Sequence, residues 1–278
     1  MIAHGIGRGL NFFDTAQLYE TYPYIREGLR RAGQPDVVIA TKTYAYDITT
    51  ATEAFEQARR ELDRDYIDLF LLHEQESEHT LRGHKEALDY LFEQKAKGKI
   101  GAVGLSTHHV AGVAGAIKAG LDVLHPLINL DGLGIVDGTR KEMEDAVADA
   151  FGAGIGTFGM KALGGGNLFR KAEECLDYAL SLPYLHSVAV GMQSMDEIDA
   201  NVDFFEGRGF SHETRAVLAG KVRRLHIDDW CENCGSCVPR CGQGALSLGG
   251  EIAVCAHEKC ILCGYCSSVC PAWAIKIV

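Results

Sequence analysis

The chain has 278 residues, 47% of them hydrophobic, and a formal net charge of −11 at pH 7. This length is sufficient for one sizeable domain and a second, smaller one. The acidic balance and the lack of a Lys/Arg cluster exclude an electrostatic surface for nucleic acid or for an anionic membrane. No apolar run is long enough to span a bilayer. We therefore expect neither nucleic acid nor a membrane as a partner.

Most of the chain, from residue 10 to about 207, alternates short apolar runs with longer amphipathic stretches. Each run is nearly all apolar, as expected for a strand that is buried on both faces. A Thr50-x-x-Glu53 capping box opens the best-marked helix, which carries Phe55, Ala58 and Leu62 on one face. The predicted strands are Leu10–Ala16, Val37–Thr43, Ile67–Glu74, Ala102–His109, Val123–Leu130, Gly154–Lys161 and Ser187–Met192.

Repeated β-α units predict a parallel sheet, and the length favours a (β/α)8 barrel of the TIM type over an open sheet. Only seven strands are predicted, because the chain begins within a helix that leads into the Leu10 strand. Seven strands would leave two unpaired edges, each with a row of free N–H and C=O groups.

Polar residues close the first three predicted strands. Asp14 ends the first strand, Lys42 the second and His73 the third, and Tyr19 follows on the first loop. Catalytic groups of a barrel lie at the carboxyl ends of its strands. We therefore expect these four side chains to meet in one pocket.

The segments NFFDTAQLY, VVIATK and LFLLH resemble the aldo-keto reductases over roughly residues 1–205. The resemblance implies a nicotinamide-dependent oxidoreductase, using NADP or NAD, that acts on a small-molecule carbonyl substrate. The opening hairpin and first strand of the family barrel are missing. We expect the true start to lie upstream; a fragment, or a barrel that dimerises across the gap, are the alternatives.

Within that resemblance, each of the four residues has a chemical role. Tyr19 is the expected proton donor, and the DTAxxY spacing selects it over Tyr22 and Tyr24. A phenol with a pKa near 10 is a poor proton relay at neutral pH, and the Lys42 ammonium should lower that pKa. Asp14 would hold Lys42, and His73 would position the carbonyl oxygen.

The resemblance also indicates coenzyme contacts. No Arg or Lys stands between Gly191 and Asn201 to pair with a 2′-phosphate, which weakens a preference for NADPH without establishing NADH. The glycine-rich segment KALGGG could approach a pyrophosphate or be an ordinary loop. The candidate coenzyme residues are Ser106, Gly164, Gly165, Gly191, Met192, Ser194 and Asn201.

Residues 208–228 are predicted to form a helical connector, with Leu218, Val222 and Leu225 at helical spacing. A short, ordered connector predicts that the C-terminal part docks on the barrel. The remaining histidines are expected on the surface or in loops, and of these His108 is the best candidate to line the pocket. They are His79, His84, His108, His109 and His125.

Nine of the ten cysteines fall in the last 48 residues, and eight of them form two identical C-x2-C-x2-C-x3-C runs. Zinc sites use paired CxxC units, which would leave the middle cysteine of each triple unused. Disulfides would suit a secreted chain, but no leader pattern opens this one. Cys175 is expected to be buried in a helix, and Cys255 to be a spare thiol.

The tail resembles a two-cluster bacterial ferredoxin, in which the fourth cysteine of each run ligates the other run's cluster. The resemblance implies one [4Fe–4S] cluster on Cys231, Cys234, Cys237 and Cys270, and another on Cys260, Cys263, Cys266 and Cys241. Iron clusters and reduced thiols indicate a cytoplasmic location with little oxygen. The first run ends in Cys241-Gly242 where the family has Cys-Pro, which changes a local turn.

Together these patterns predict a barrel over residues 1–207, a connector over 208–228 and a ferredoxin-type domain over 229–278. The first hypothesis is an iron–sulfur aldo-keto reductase that exchanges electrons with a redox partner protein. The second is an electron-transfer protein whose barrel no longer reduces carbonyls. In a third, the clusters are structural.

Overall fold

The computed structural model describes all residues from 1 to 278. Seven parallel strands form one curled sheet in the order of the chain. They confirm the predicted barrel-type fold and lie within or close to the predicted segments. The strands are β1 (Phe12–Asp14), β2 (Val38–Thr43), β3 (Ile67–Leu72), β4 (Ile100–Thr107), β5 (Val123–Pro126), β6 (Gly156–Gly159) and β7 (Ser187–Val188).

Helices lie between the strands and cover the outside of the sheet. A core of 30 buried residues fills the space between the two layers. None of the helices combines the length and apolarity that a bilayer crossing requires. The barrel helices are α1 (Ile2–Gly7), α2 (Tyr22–Arg31), α3 (Ile48–Leu62), α4 (Glu78–Gly83), α5 (Lys85–Ala96), α6 (Val110–Ala119), α7 (Arg140–Gly152), α8 (Ala172–Ser181) and α9 (Met195–Phe205).

Helix α3 begins earlier than its predicted capping box. Asp47 is the N-cap and its carboxylate accepts from the backbone N–H of Thr50 at 2.8 Å. Thr50 is therefore the third helical residue, and its hydroxyl satisfies the Asp47 N–H. The predicted apolar face is confirmed, since Phe55, Ala58 and Leu62 are all buried.

The sheet has a seam, because β1 pairs only with β2 and β7 pairs only with β6. The helical layer crosses this seam. His4 Nε2 of α1 lies 2.8 Å from Asp199 Oδ1 of α9, and Arg8 donates to Asp203 at 2.6 Å and also to Asp199. The ring of helices is thus joined by ion pairs at the place where the ring of strands is open.

The predicted connector is only partly helical. Helix α10 (His212–Ala219) ends at Gly220, Val222 is 99% exposed, and Leu225 is buried in a strand. Leu225 is not part of a helix, because its strand pairs with the last strand of the chain. In this pairing Leu225 lies opposite Ile277. The C-terminal module, defined here as residues 225–278, consists of β8 (Leu225–Ile227), α11 (Cys237–Arg240), β9 (Leu246–Leu248), β10 (Ala253–Cys255) and β11 (Ile275–Ile277).

The module docks on the loop that follows β6, as the ordered connector predicted. Asn167 Nδ2 donates to Ser267 Oγ at 3.1 Å and to the Ile275 carbonyl at 3.3 Å. The backbone N–H of Ile277 donates to the Gly165 carbonyl at 3.2 Å. Gly166 has φ +84°, and a Cβ there would lie 1.9 Å from the Ile277 carbonyl oxygen. Only glycine fits at this contact.

Candidate active site and cysteine-rich module

An ion pair lies at the carboxyl ends of the first two strands. Lys42 is 1% exposed, and its ammonium lies 2.7 Å and 2.8 Å from the two Asp14 carboxylate oxygens. The third donor of the ammonium goes to the Thr15 carbonyl at 2.5 Å. Every donor of this buried cation is therefore satisfied.

The environment keeps Asp14 ionised. Burial would raise the pKa of Asp14, but the charges and hydrogen bonds of His125 and Lys42 outweigh it and lower the pKa to about 2. Burial lowers the pKa of Lys42, against the opposing effect of the Asp14 charge. The carboxylate is consequently charged throughout the neutral range.

Tyr19 and His73 complete the group that the sequence predicted. The Lys42 ammonium lies 5.3 Å from the centroid of the Tyr19 ring, and the Tyr19 and His73 rings meet edge to face at 5.8 Å. Tyr19 closes a 3-10 turn over residues 17–19 and is 46% exposed. The structure thus brings the four predicted side chains together at one end of the barrel.

The pKa of Tyr19 shifts in the opposite direction to the expectation. Burial raises it above the usual value of 10.0, and the negative charges of Asp14 and Glu74 raise it further. The Lys42 ammonium does not reverse this, because the carboxylate of Asp14, with which it is paired, offsets its charge. Tyr19 is therefore a protonated phenol at neutral pH.

His73 is neutral and has a free nitrogen. Burial lowers its pKa to about 4, and the nearby Lys42 cation contributes in the same direction. Its Nδ1 atom is buried and has no hydrogen-bond partner. Tyr44 stacks on the imidazole at 4.5 Å and donates from its hydroxyl to Glu74 at 2.7 Å. The sequence reasoning missed Tyr44 and Glu74.

His125 is a second group that the sequence reasoning missed. It was expected on the surface or in a loop, and this is wrong, because it lies in β5 with 1% exposure. Its Nε2 atom is 3.7 Å from Asp14 and its Nδ1 atom 2.6 Å from the Phe158 carbonyl. Its place near the end of a strand, like that of Lys42, was the available signal.

The two rival phenols lie elsewhere. Tyr22 is fully buried and its hydroxyl contacts Thr41 at 2.6 Å, while Tyr24 is 71% exposed on α2. Neither shares the contacts that Tyr19 makes with Lys42 and His73. The geometry therefore supports the spacing argument for Tyr19.

A cleft of about 1700 Å³ opens at the seam between β1 and β7 and reaches Asp14 and Tyr19. Four of the candidate coenzyme residues line it: Gly165, Gly191, Met192 and Asn201. The others do not. Ser106 is fully buried and its hydroxyl accepts from the Glu74 N–H at 2.9 Å, and Ser194 caps α9.

Two cations that the sequence reasoning missed reach the cleft from the segment after α10. Lys221 and Arg223 lie 3.4 Å and 3.2 Å from Glu197, near the start of α9. Lys221 also donates to Ser194. No cation stands between Gly191 and Asn201 in the sequence. The fold nevertheless brings Lys221 and Arg223, which come later in the chain, close to this segment.

The first group of neighbouring thiols forms around Cys237. Burial raises the pKa of the Cys237 thiol, and the neighbouring thiols of Cys270, Cys231 and Cys234 raise it further. These four are the set expected for the first cluster. Cys270 reaches the group from the far end of the module.

The second group forms around Cys266. Burial raises the pKa of this thiol to about 12, with further contributions from Cys263, from Cys260 and from Cys237 of the first group. Cys255 lies in the same group, because Cys260, Cys266 and Cys241 all raise its pKa. No three side chains converge as they would around a single metal ion. The support for iron–sulfur clusters is instead that the thiols of each group are neighbours.

The surroundings of the thiols suit iron–sulfur clusters. The Ala245 N–H donates to Cys241 Sγ and the Ala274 N–H to Cys270 Sγ, both at 3.3 Å. An apolar cluster that includes Leu225 and Ile275 packs against both groups. Backbone donors to sulfur and an apolar shell are the features that tune such clusters.

The fold and the site together define a parallel barrel with a buried Asp–Lys pair and a docked cysteine-rich module. The model of the aldo/keto reductase family matches residues 1–174, and the chain belongs to this family. The 4Fe-4S binding domain model matches residues 257–276.

Known proteins match the two parts separately. The barrel is 31% identical over 130 residues to a 9,11-endoperoxide prostaglandin H2 reductase of Trypanosoma cruzi, covering 45% of this chain and 43% of that protein. The module is 40% identical over 57 residues to a ferredoxin of Chlorobaculum thiosulfatiphilum, covering 18% of this chain and 93% of the ferredoxin. The chain thus spans less than half the length of the reductase.

Solved structures show the same fold. An aldo-keto reductase from Bacillus halodurans superposes with a TM-score of 0.62 at 19% identity, covering 78% of this chain and 84% of that one. An aldo/keto reductase from Brucella melitensis gives 0.60 at 17% identity, covering 78% and 86%. At this level of identity the likeness establishes the fold alone.

Proposed function

We propose that this protein is a nicotinamide-dependent oxidoreductase that interconverts carbonyls and alcohols and exchanges electrons with two [4Fe–4S] clusters. The observation that carries the proposal is the buried pair of Lys42 and Asp14, with Tyr19 and His73 beside it. The nicotinamide coenzyme supplies or accepts hydride, and the clusters supply or accept single electrons.

Tyr19 is the proposed proton donor. Because its pKa is raised, the phenol keeps its proton at neutral pH and can deliver it to the oxygen of a reduced carbonyl. The Lys42 ammonium, held in place by Asp14, then stabilises the negative charge that the phenol acquires after it gives up the proton. For carbonyl reduction, the raised pKa of Tyr19 is compatible with its role as proton donor.

His73 is the proposed positioning group for the substrate. The neutral imidazole has a free buried nitrogen beside Tyr19. In the tautomer that carries its proton there, it can donate to a carbonyl oxygen without adding a charge. The stacked ring of Tyr44 holds the imidazole in orientation.

The seam cleft is the proposed coenzyme site. Gly165, Gly191, Met192 and Asn201 line it. Lys221 and Arg223 supply the positive charge that a 2′-phosphate would need, although Glu197 partly neutralises it. The roles of Ser106, Gly164 and Ser194 stay predictions.

The eight cysteines of the two runs are the proposed cluster ligands. Cys231, Cys234, Cys237 and Cys270 would hold one cluster, and Cys260, Cys263, Cys266 and Cys241 the other. Two clusters would together hold the electron pair that one hydride carries. A redox partner protein is the proposed destination of those electrons.

An anaerobic titration of the cluster-loaded protein with NADPH and with NADH tests this proposal. We expect the visible absorbance of the clusters to bleach without any added mediator, because reduced coenzyme would pass electrons to them. If a carbonyl substrate oxidises the coenzyme while the clusters stay oxidised, the proposed exchange of electrons between coenzyme and clusters is contradicted.

A second candidate function is electron transfer by a barrel that no longer reduces carbonyls. The open seam favours it, because β1 and β7 lack the neighbour that would complete the ring. In that case cluster bleaching by the coenzyme would occur, but no aldehyde or ketone would be reduced. The intact group around Lys42 favours the reductase.

A further inference from the structure

The segment between α10 and β8, residues 221–224, forms a strap between the C-terminal module and the barrel. The backbone N–H of Arg224 donates to the Val278 carbonyl at 2.8 Å, and the Val278 N–H donates to the Arg224 carbonyl at 3.0 Å. This pairing continues the ladder of β8 and β11, in which Leu225 lies opposite Ile277. The course of the strap is therefore fixed by the last residue of the module.

Side chains along the strap alternate between solvent and barrel, as in any extended chain. Val222 is 99% exposed, and Arg224 is exposed as well. Lys221 and Arg223 point the other way, with only 22% and 17% of their side chains exposed, and both line the seam cleft. Two of the three cations in the strap therefore face the cleft.

Both of these cations contact the start of α9. Lys221 donates to the hydroxyl of Ser194, which is the N-cap of this helix. Glu197, in the first turn, lies 3.4 Å from Lys221 and 3.2 Å from Arg223. Asp196 lies 4.0 Å from Lys221, but it is 61% exposed and solvent screens its charge. The strap is thus joined to the barrel by ion pairs.

Arg223 also contacts the loop after β6. Its guanidinium lies 4.9 Å from the centroid of the Phe169 ring. Arg170 lies 5.4 Å from the centroid of the same ring and donates to the Ile261 carbonyl of the module at 2.9 Å. The guanidinium of Arg223 makes one side-chain hydrogen bond, to Glu197, so most of its five donors stay free.

The module itself forms part of the wall of the cleft. Leu262 of the second cysteine run and the last three residues, 276–278, line it. The Ile277 N–H donates to the carbonyl of Gly165, a candidate coenzyme residue that lines the same cleft. A molecule that extends through the cleft from Asn201 to Gly165 would therefore lie against barrel, strap and module together.

The chemistry of the strap selects one group of the coenzyme. Two cations that face a cleft and keep free donors match a phosphate. Ser194 and Glu197, which they contact, lie between Gly191 and Asn201, the segment in which a partner for a 2′-phosphate was sought in the sequence. That phosphate distinguishes NADP from NAD.

We propose that the 2′-phosphate of NADP binds to Lys221 and Arg223 and thereby holds the C-terminal module on the barrel, so that coenzyme binding and module docking are coupled. The strap places these cations in the cleft while it is paired with the module, and a ligand that binds only this docked state favours it. The clusters are then held against the barrel while the coenzyme is bound. This inference concerns the regulation of the coenzyme site and rests on the proposed function.

Hydrogen–deuterium exchange of the cluster-loaded full chain, kept anaerobic, tests the coupling without turnover. The probes are adenosine 2′,5′-bisphosphate and adenosine 5′-monophosphate, which differ only in the 2′-phosphate and cannot reduce a cluster. With the bisphosphate, the N–H groups of Ile277 and Val278, which bond to Gly165 and Arg224, should exchange about 10-fold more slowly. At equal occupancy the monophosphate should have little effect. Exchange in β3, inside the barrel, should be the same in all samples.

Two substitutions in the strap should remove the effect. In calorimetric titrations, Lys221→Met and Arg223→Met should each weaken binding of the bisphosphate by about 10-fold, because each removes a charge-assisted contact. Neither should change binding of the monophosphate. Arg224→Met is the matched control, since it removes a cation of the same strap whose side chain is exposed. It should behave as the unmodified protein does.

Glu197→Gln should shift two measurements in opposite directions. Glutamine keeps an acceptor for the Gln193 N–H, which Glu197 accepts at 2.7 Å, but removes the negative charge beside both cations. Binding of the bisphosphate should become tighter, because the cations are no longer neutralised. Without ligand, exchange at Ile277 and Val278 should become faster, because the strap loses its ion pairs. A purely structural role for the strap would weaken both.

Two results would overturn the proposal. If the bisphosphate binds but leaves exchange at Ile277 and Val278 unchanged, or slows β3 to the same extent, binding does not act on docking. If the bisphosphate and the monophosphate bind equally well, the strap does not recognise a 2′-phosphate.

Turnover separates this inference from the proposed function. If NADPH reduces a carbonyl substrate and bleaches the clusters while the bisphosphate leaves docking unchanged, the proposed function stands and the coupling is overturned. If the bisphosphate slows exchange and the two strap variants lose that effect, but NADPH reduces neither a carbonyl nor the clusters, the coupling stands and the proposed function fails.

Discussion

The carboxylate of Asp14 binds the ammonium of Lys42 through both of its oxygens, at a depth where Lys42 is 1% exposed. A buried cation held in this way depends on its partner, because removal of the partner leaves an uncompensated charge in the interior. The pair is therefore a structural element of the barrel as well as a candidate for catalysis.

Asp14→Ala should lower the free energy of unfolding by about 3–5 kcal/mol, the cost of an unpaired buried charge. The double variant Asp14→Ala/Lys42→Met should recover most of that loss, because it removes the charge and keeps a side chain of similar length. Urea denaturation of the two variants and of Lys42→Met measures the coupling. If the losses in the free energy of unfolding of the two single variants simply add in the double variant, Lys42 does not depend on Asp14.

The pH dependence of the two reaction directions should differ. Because the pKa of Tyr19 is raised, the phenol stays protonated, and kcat/KM for carbonyl reduction should show no fall that is due to Tyr19 up to about pH 10. Alcohol oxidation needs the phenolate and should rise about tenfold per pH unit. Tyr19→Phe should abolish both directions, while Tyr24→Phe on the exposed face of α2 should leave both unchanged.

As the pH falls, the barrel should begin to lose stability at a pH above that at which carboxylates titrate. The pKa of His73 is about 4 in the folded protein, against 6.5 ordinarily, so between these values only the unfolded chain takes up the proton. Stability is fully present above pH 6.5 and falls as the pH drops towards 4, by on the order of 3 kcal/mol. Urea denaturation between pH 7 and 5 measures this slope.

His73→Gln should reduce that slope, since glutamine takes up no proton in either state, while His108, whose pKa is also lowered to about 4, keeps its own contribution. The exposed His212 of α10 offers a control, and His212→Gln should leave the slope as it is. An unchanged slope in His73→Gln would show that other groups carry the acid sensitivity. His108, whose pKa is also about 4, would then be the next residue to replace.

The cysteine assignment predicts iron content. The cluster-loaded protein should contain about eight iron atoms per chain, and Cys270→Ser should lose about half of them, because one cluster of four loses a ligand. Cys255→Ser is the matched control, a thiol in the second group that neither set of ligands includes. If Cys255→Ser loses as much iron as Cys270→Ser, the ligand sets are wrong.

Docking of the module should depend on the lack of a side chain at Gly166. Gly166→Ala would place its Cβ against the Ile277 carbonyl and should expose the segment between α10 and β8 to proteolysis. Gly154→Ala removes a glycine with the same φ of +84° but with no atom within 4 Å, so it carries only the backbone strain of about 1 kcal/mol. Equal protease resistance in the two variants would show that the contact does not hold the module.

The sequence predicted those parts of the fold and site that depend on local patterns. Seven apolar runs marked seven strands, and the polar residues that close three of them, Asp14, Lys42 and His73, meet in the structure. Each of these positions depends on the geometry of one strand, which a few neighbouring residues determine. The ferredoxin resemblance of the tail implied that Cys270 lies near Cys231, Cys234 and Cys237, and these thiols are neighbours in the structure.

Features that depend on packing between distant segments were not predictable in this way. Nothing in the sequence near Trp273 indicates that its indole lies on Gly134, since the contact requires the docked module. Lys221 reaches Ser194 for the same reason. The pKa of Tyr19 was expected to fall because Lys42 is close, and it rises because burial and two carboxylates outweigh a cation that is paired with Asp14.

The open seam between β1 and β7 offers small molecules a second direction of approach to the candidate catalytic group. In a closed barrel with a free mouth, entry is along the barrel axis. Here Trp273 of the C-terminal module packs against Gly134 and Gly165, in the loops that follow β5 and β6, while the cleft at the seam reaches Asp14 and Tyr19. The cleft therefore offers a lateral route to Asp14 and Tyr19, and Asn201 and Val202 of α9 border this route.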